Sequence, residues 1–276
     1  MTELGYNAGR RSVILGKTAE NEGNLNRMRL KCLACEALAR IVYLCAARSP
    51  HVVDVELFKL GWHRDPDDLR ARVQRSIDAA VGEGYDALIL AYGLCGRATA
   101  GLVARDVPLV IPRAHDCITL FLGSRQRYQQ QFTDKPGTYW YVRDYVERMD
   151  AQGTTLSLGA DMGADADALY DEYVAKYGRD NADYLMEVMG AWREHYNRAA
   201  YIDMGFAESP EVESQTREEA QRRGWTFDRL AGDLVLIRRL LDGDWAEDFL
   251  VLPPGAEIQM SYDAQVVDCV MRGPAS

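Results

Sequence analysis

Cysteine is scarce in this chain, with six among 276 residues, at positions 32, 35, 45, 95, 117 and 269. Spacing this wide is not that of a small disulfide-stapled domain, so the fold has to rest on a buried core. Positive charge is also short: 32 Lys and Arg face 42 Asp and Glu, a formal net charge of −10. Nucleic acid and anionic lipid select for the opposite balance, which excludes both as main partners. No apolar run reaches the ~18 residues that span a bilayer. Residues Met1 to Asn26 carry arginines but no continuous apolar core of a signal peptide, so a cytoplasmic location with reduced thiols is expected.

Several catalytic signatures are missing too. Gly93-x-x-Gly96-x-x-x-x-Gly101 matches neither G-x-G-x-x-G nor G-x-x-x-x-G-K-[ST], so no nucleotide loop is expected. There is no nucleophile elbow and no Ser-His-Asp pattern. Asp161, Asp165, Asp167 and Asp171 lack the glycine and the terminal glutamate of a calcium loop. Cys32 and Cys35 form a lone C-x-x-C, and without a second such pair they do not make a structural zinc module.

What the chain does have is an alternation of short apolar runs and helical periodicity. Arg29 to Cys35, His51 to Phe58, Ala87 to Tyr92 and Leu109 to Pro112 read as strands. Between them, Glu36 to Ala47 and the stretch behind Asp65-Pro66 read as helices, the second capped by Asp65 with Pro66 at its first position. Cys45 lies on the apolar stripe of the first helix and is expected to pack there. A further helix is expected from Ile118 to Phe132. This order predicts an α/β fold with a mainly parallel, Rossmann-like sheet and helices on both faces. The expected layout is a leader at 1–27, a first lobe at 28–152, a second α/β lobe with a helical cover at 153–262, and a fraying tail at 263–276. Gly153 to Gly163 is the expected hinge, and the Tyr- and Met-rich run Ala164 to Arg198 the cover.

Three cysteines then stand out. Cys35, Cys95 and Cys117 each fall close to a strand's carboxyl end, the edge at which parallel sheets gather ligands. Cys32 sits three residues before Cys35 and so faces the other way, into the core. Gly93 and Gly96 bracket Cys95 and are expected to border a substrate. Cys117 opens a helix, where the macrodipole favours a thiolate. His115 and Asp116 beside it add a nitrogen ligand or general base and a carboxylate. Arg113 is placed to meet an anionic substrate. Three thiolates with one open position suit catalytic zinc, and equally a [4Fe-4S] cluster; the nearby His115 favours zinc. Free cysteine is also a small buried hydrophobe, which is the plain alternative.

The segments YDALILAYGLCG, ARDVPLVIPRAHDCITLFLGS and PGTYW resemble the domain-of-unknown-function family 1638. The resemblance extends over most of residues 28 to 260 and includes Ala34-Cys35, the His63-x-x-Pro66 turn and Ala200 to Asp203. Its recurring cysteines fall on Cys35, Cys95 and Cys117. Glu36 stands where a glycine is expected, and Arg97-Ala98 where Asn-Gly is usual. The resemblance implies a setting beside corrinoid proteins and corrinoid-dependent methyltransferases, a context and not a reaction; with the three cysteines as metal ligands, the expectation is a metal-dependent enzyme or accessory factor of methyl transfer acting on a small molecule. A non-catalytic docking partner of such proteins and an iron–sulfur lyase or dehydratase are the alternative expectations.

Overall fold

A computed structural model of the protein describes residues 27–148, 174, 179, 196–206 and 210–271. Ten strands and seven α-helices are described. They run in the order β1 (Arg29–Cys35), α1 (Ala39–Ala46), β2 (Val52–Phe58), α2 (Pro66–Ala79), β3 (Ala87–Ala91), β4 (Leu109–Pro112), α3 (Cys117–Leu122) and α4 (Arg125–Asp134). There follow β5 (Thr138–Val142), α5 (Arg143–Arg148), β6 (Arg198–Asp203), α6 (Pro210–Arg223), β7 (Thr226–Ala231), α7 (Val235–Leu241), β8 (Phe249–Leu252), β9 (Ala256–Met260) and β10 (Val267–Met271). No helix among the described residues is long and apolar enough to cross a membrane.

The chain is a mixed α/β protein with a mostly parallel central sheet, strand order β2-β1-β3-β4-β8. β1 to β4 are mutually parallel, and β8 closes the edge antiparallel to β4. Continuous apolar runs form the middle of this sheet because both faces are covered: every residue of β3 and β4 is buried. β2, at the edge, is less buried. A second sheet, β5-β6-β7, is parallel, and β9 and β10 form an antiparallel pair. Strand pairing runs across residue 152, the boundary suggested by the sequence: β5 from before it joins β6, and β8 from after it joins β4. The leader up to residue 26, the hinge at 153–163 and nearly all of the Tyr- and Met-rich cover lie outside the described residues.

Three elements differ from the expectations drawn from the sequence. The helix expected over 118–132 is two helices, α3 and α4. Gly123 ends α3 in the left-handed region (φ 67°), where a Cβ would lie 2.6 Å from the Asp233 side chain. Ser124 then caps α4 by accepting from the Arg127 amide at 3.2 Å. The described part of the expected tail, up to residue 271, does not fray, since β9 and β10 pair over five residues each, and Val267 is fully buried. Helix α5 is the third. Its short sequence, RDYVER, carries a polar pattern whose partners come from far along the chain.

Those partners make α5 the brace of the region around Cys35. The Asp144 carboxylate is nearly inaccessible; it accepts from Arg40 at 2.7 Å and from Arg148 at 3.1 Å. Arg148 also reaches Glu36, the residue after Cys35, at 3.0 Å, and Glu36 accepts the Leu60 amide at 3.2 Å. A buried carboxylate tolerates burial only while its cations stay in place. Asp144→Ala is therefore expected to leave two arginines short of a partner and to lower the unfolding free energy by about 3–5 kcal/mol. Urea titration checks this, and a loss below about 1 kcal/mol would show that α5 is not held by this network.

Candidate functional site

Parallel pairing of β1, β3 and β4 carries three cysteines to one edge of the central sheet. Cys35 is the last residue of β1, and its sulfur accepts the Ala37 amide at 3.4 Å as the chain enters a 3-10 turn. Cys95 follows β3 in a loop with three consecutive residues of positive φ, Cys95 (47°), Gly96 (61°) and Arg97 (75°). Cys117 begins α3, behind the loop that leaves β4. The two loops are laced together, since Leu94 and Cys95 donate their amides to the carbonyls of Ala114 and His115 at 2.8 and 2.9 Å. Gly93 permits that approach, because a Cβ there would stand 2.7 Å from the Asp116 backbone. Its role is close packing, and Gly96 faces open space.

The three thiols feel one another. Burial is the main cause that pushes Cys35 well above the ordinary thiol range, and the charge of Cys117 comes next. Burial and then Cys35 push up Cys95, and burial and then Cys95 push up Cys117. At the start of α3, desolvation opposes the favourable terminus of a helix of only six residues and raises the Cys117 pKa when no cation is present. Cys32 lies in the core, as its opposite facing requires, with its pKa pushed by burial to about 12. Cys45 is buried on α1.

Two tyrosines that the sequence reading passed over complete the cluster. Tyr145, on α5, shares a hydrogen bond with the Cys117 sulfur through its hydroxyl and meets Phe121 edge-on at 5.8 Å. Tyr92, directly after β3, is fully buried, and its hydroxyl has no hydrogen-bond partner among the described residues. Burial raises its pKa first, followed by the charges of Cys35, Cys95 and Cys117. His63 stacks on the Tyr92 ring at 5.8 Å, its Nδ1 at 3.1 Å from the Leu60 carbonyl, and burial lowers its pKa. Tyr92 had a signal in the sequence, as a polar-tipped residue ending a buried strand just before Gly93. Tyr145 had none, because α5 is fixed by tertiary ion pairs.

Of the remaining expected site residues, Arg113 and His115 fall on the other side of the β4–α3 loop, and Asp116 lies between them and the thiols. Asp116 is buried and caps α3, accepting the Ile118 and Thr119 amides at 3.0 and 3.4 Å and the Tyr128 hydroxyl at 2.9 Å. Burial raises its pKa, and these hydrogen bonds oppose the rise. His115 is exposed and stacks on Tyr128 at 6.0 Å, so the structure does not bring it among the thiols. Arg113 donates to the carbonyls of Val267 and Gln265. His51 is a structural residue, with Nδ1 accepting the Met28 amide at 3.3 Å and Nε2 at 3.1 Å from the Asp242 carbonyl. Among the described residues, no group of three or more His, Cys, Asp or Glu side chains is arranged to hold a metal ion.

Fold and site together define a mixed α/β protein with a thiol cluster at the carboxyl edge of a parallel sheet, Cys35 buried and Cys95 and Cys117 partly buried. The chain belongs to the family described as protein of unknown function (DUF1638), whose model matches residues 57–241. That span takes in Cys95 and Cys117 and begins after Cys35. No curated protein and no solved structure was found to match the chain.

The raised thiols make stability depend on alkaline pH. In the unfolded chain a thiol ionises near its ordinary value of 9.0, while in the folded protein it keeps its proton. The unfolded state therefore binds fewer protons above that pH, and stability falls as pH rises, by up to about 1.4 kcal/mol per pH unit for each thiol. Urea midpoints at pH 8 and pH 10 in chelator-treated protein are expected to fall more steeply for wild type than for a Cys35→Ser/Cys95→Ser/Cys117→Ser variant. Equal slopes would mean that the thiols are not desolvated.

Proposed function

We propose that the protein is a metal-dependent enzyme or accessory factor of corrinoid-linked methyl transfer, built on a Rossmann-like sheet, with Cys35, Cys95 and Cys117 as ligands of one zinc ion. The observation that carries this reading is the meeting of three thiols from three strand ends beside a buried Tyr92 hydroxyl that has no partner among the described residues. The residue types suit zinc, which binds thiolates, and a cation would favour ionisation of three thiols that desolvation otherwise keeps protonated. The side chains must turn to bind it, because as they stand the described residues include no group arranged to hold a metal. Zinc held there would supply Lewis-acid activation of a substrate thiol or methyl donor. The link to corrinoid proteins rests on the family resemblance.

The chain's own residues divide the remaining work. Tyr92 offers its hydroxyl to whatever lies over the thiols, and Tyr145 holds Cys117 in place. Asp116, electrostatically coupled to Cys95 and Cys117, is a proton acceptor beside them. A second reading has one observation in its favour, the lack of a metal-ready arrangement among the described residues. In that reading the thiols stay protonated and the protein is a docking partner of a corrinoid protein or methyltransferase.

Elemental analysis with an absorption spectrum, on protein purified without oxygen, separates these outcomes. About one zinc per chain, lost in the triple serine variant, is expected. Iron with sulfide and a visible charge-transfer band would replace zinc by a [4Fe-4S] cluster. No metal in either protein would overturn the metal reading and leave the docking role.

A further inference from the structure

On the far side of the β4–α3 loop from the thiols lies a cleft of about 230 Å³ bordered by Arg113, His115, Thr119, Arg125 and Gln126. No acidic residue lines it among the described residues. The geometry points to a binding site for a small oxyanion, a phosphate or a carboxylate group, gripped by Arg113 and Arg125 with the Thr119 hydroxyl as a further donor.

Three observations converge on this site. The first is the pair of arginines, close enough for the charge of Arg125 to act on Arg113. Both are held by backbone carbonyls, Arg113 by Gln265 and Val267 and Arg125 by Ala264. The Asp248 carboxylate stands 4.0 Å from Arg125 but is engaged by Arg239 at 2.6 Å. Asp268 and Asp263 act on Arg113 from β10 and the β9–β10 connection, and Asp263 is itself occupied by Ser261 and Gln265. Two guanidinium groups border the cleft while the nearby carboxylates lie outside its lining, an arrangement that favours an anion there, and guanidinium groups match the geometry of carboxylate and phosphate.

The second observation is the Thr119 hydroxyl. Thr119 is 1% exposed, and its Oγ1 has no hydrogen-bond partner among the described residues. An unmet buried hydroxyl is costly, and an oxyanion in the cleft would meet it. The third is size, since the cleft is smaller than the ~300–1,000 Å³ of drug-sized ligand pockets and suits a terminal anionic group. The larger hollow near Arg70 and Arg97, about 650 Å³, is bordered by Asp67 and Glu257 as well, and Arg70 already pairs with Asp67 at 2.7 Å.

Calorimetric titration of the full chain with inorganic phosphate, and separately with acetate, tests the site and tells the two sources apart. Saturable binding of one anion is expected, weakened about ten-fold by Arg125→Gln, in line with the loss of one charged hydrogen-bonding partner. Thr119→Val should weaken binding several-fold while leaving the unliganded protein as stable as before or more so, because it removes an unpaired polar group. This variant does not touch the carbonyls that the arginines hold, so it reads the cleft even if Arg125→Gln fails to fold. Cys95→Ser is expected to bind the anion as wild type does, which separates this site from the thiol reading. No saturable binding of either anion in the millimolar range overturns the proposal, and so does binding that Thr119→Val leaves unchanged.

Discussion

Parallel pairing of β1, β3 and β4 is the constraint on which the site depends. Parallel strands in neighbouring register must end at the same edge, so residues distant in sequence become neighbours without any local motif. In this chain the order β2-β1-β3-β4 changes direction between β1 and β3, and a crevice at such a point is where open α/β sheets take ligands. The close approach of Gly93 to the Asp116 backbone fixes how near the second and third loops can come. A side chain at position 93 would push apart the loops that carry Cys95 and Cys117.

Burial then sets the chemistry of that edge. Desolvation is the first cause of every thiol shift in the cluster, and mutual repulsion adds to it. Desolvation of this kind opposes ionisation of the thiols, and a neighbouring cation is the general means of reversing it. The ion pairs of Arg40, Arg148, Asp144 and Glu36 hold α5 and the turn after Cys35, so the cluster's cover is fixed by charges set outside it. A fixed cover and neutral thiols belong together, since a loose cover would admit water and ease ionisation.

The strands were legible because their patterns are local. Continuous apolar runs at Ala87 to Ala91 and Leu109 to Pro112 stand between turn residues as buried strands do, and their ends named Cys95 and Cys117 directly. Cys32 was legible from alternation alone. Contacts between distant segments left no such trace. Gly123 breaks a helix where Asp233 packs against it, α5 forms through pairs with α1 and the turn at Glu36, and β9 finds β10 across a short polar connection. His115 was placed near the thiols on sequence adjacency, but the chain turns into α3 at Asp116, and His115 ends on the Tyr128 side.

Asp116 stands between the two halves of the site. Its backbone packs against Gly93 on the thiol side, while its carboxylate takes the Tyr128 hydroxyl and the Thr119 amide on the cleft side. Tyr128 in turn stacks on His115 at the rim of the cleft. One loop thus presents the thiols to one side and the cleft to the other, and the hydrogen bonds of Asp116 hold its shape from within.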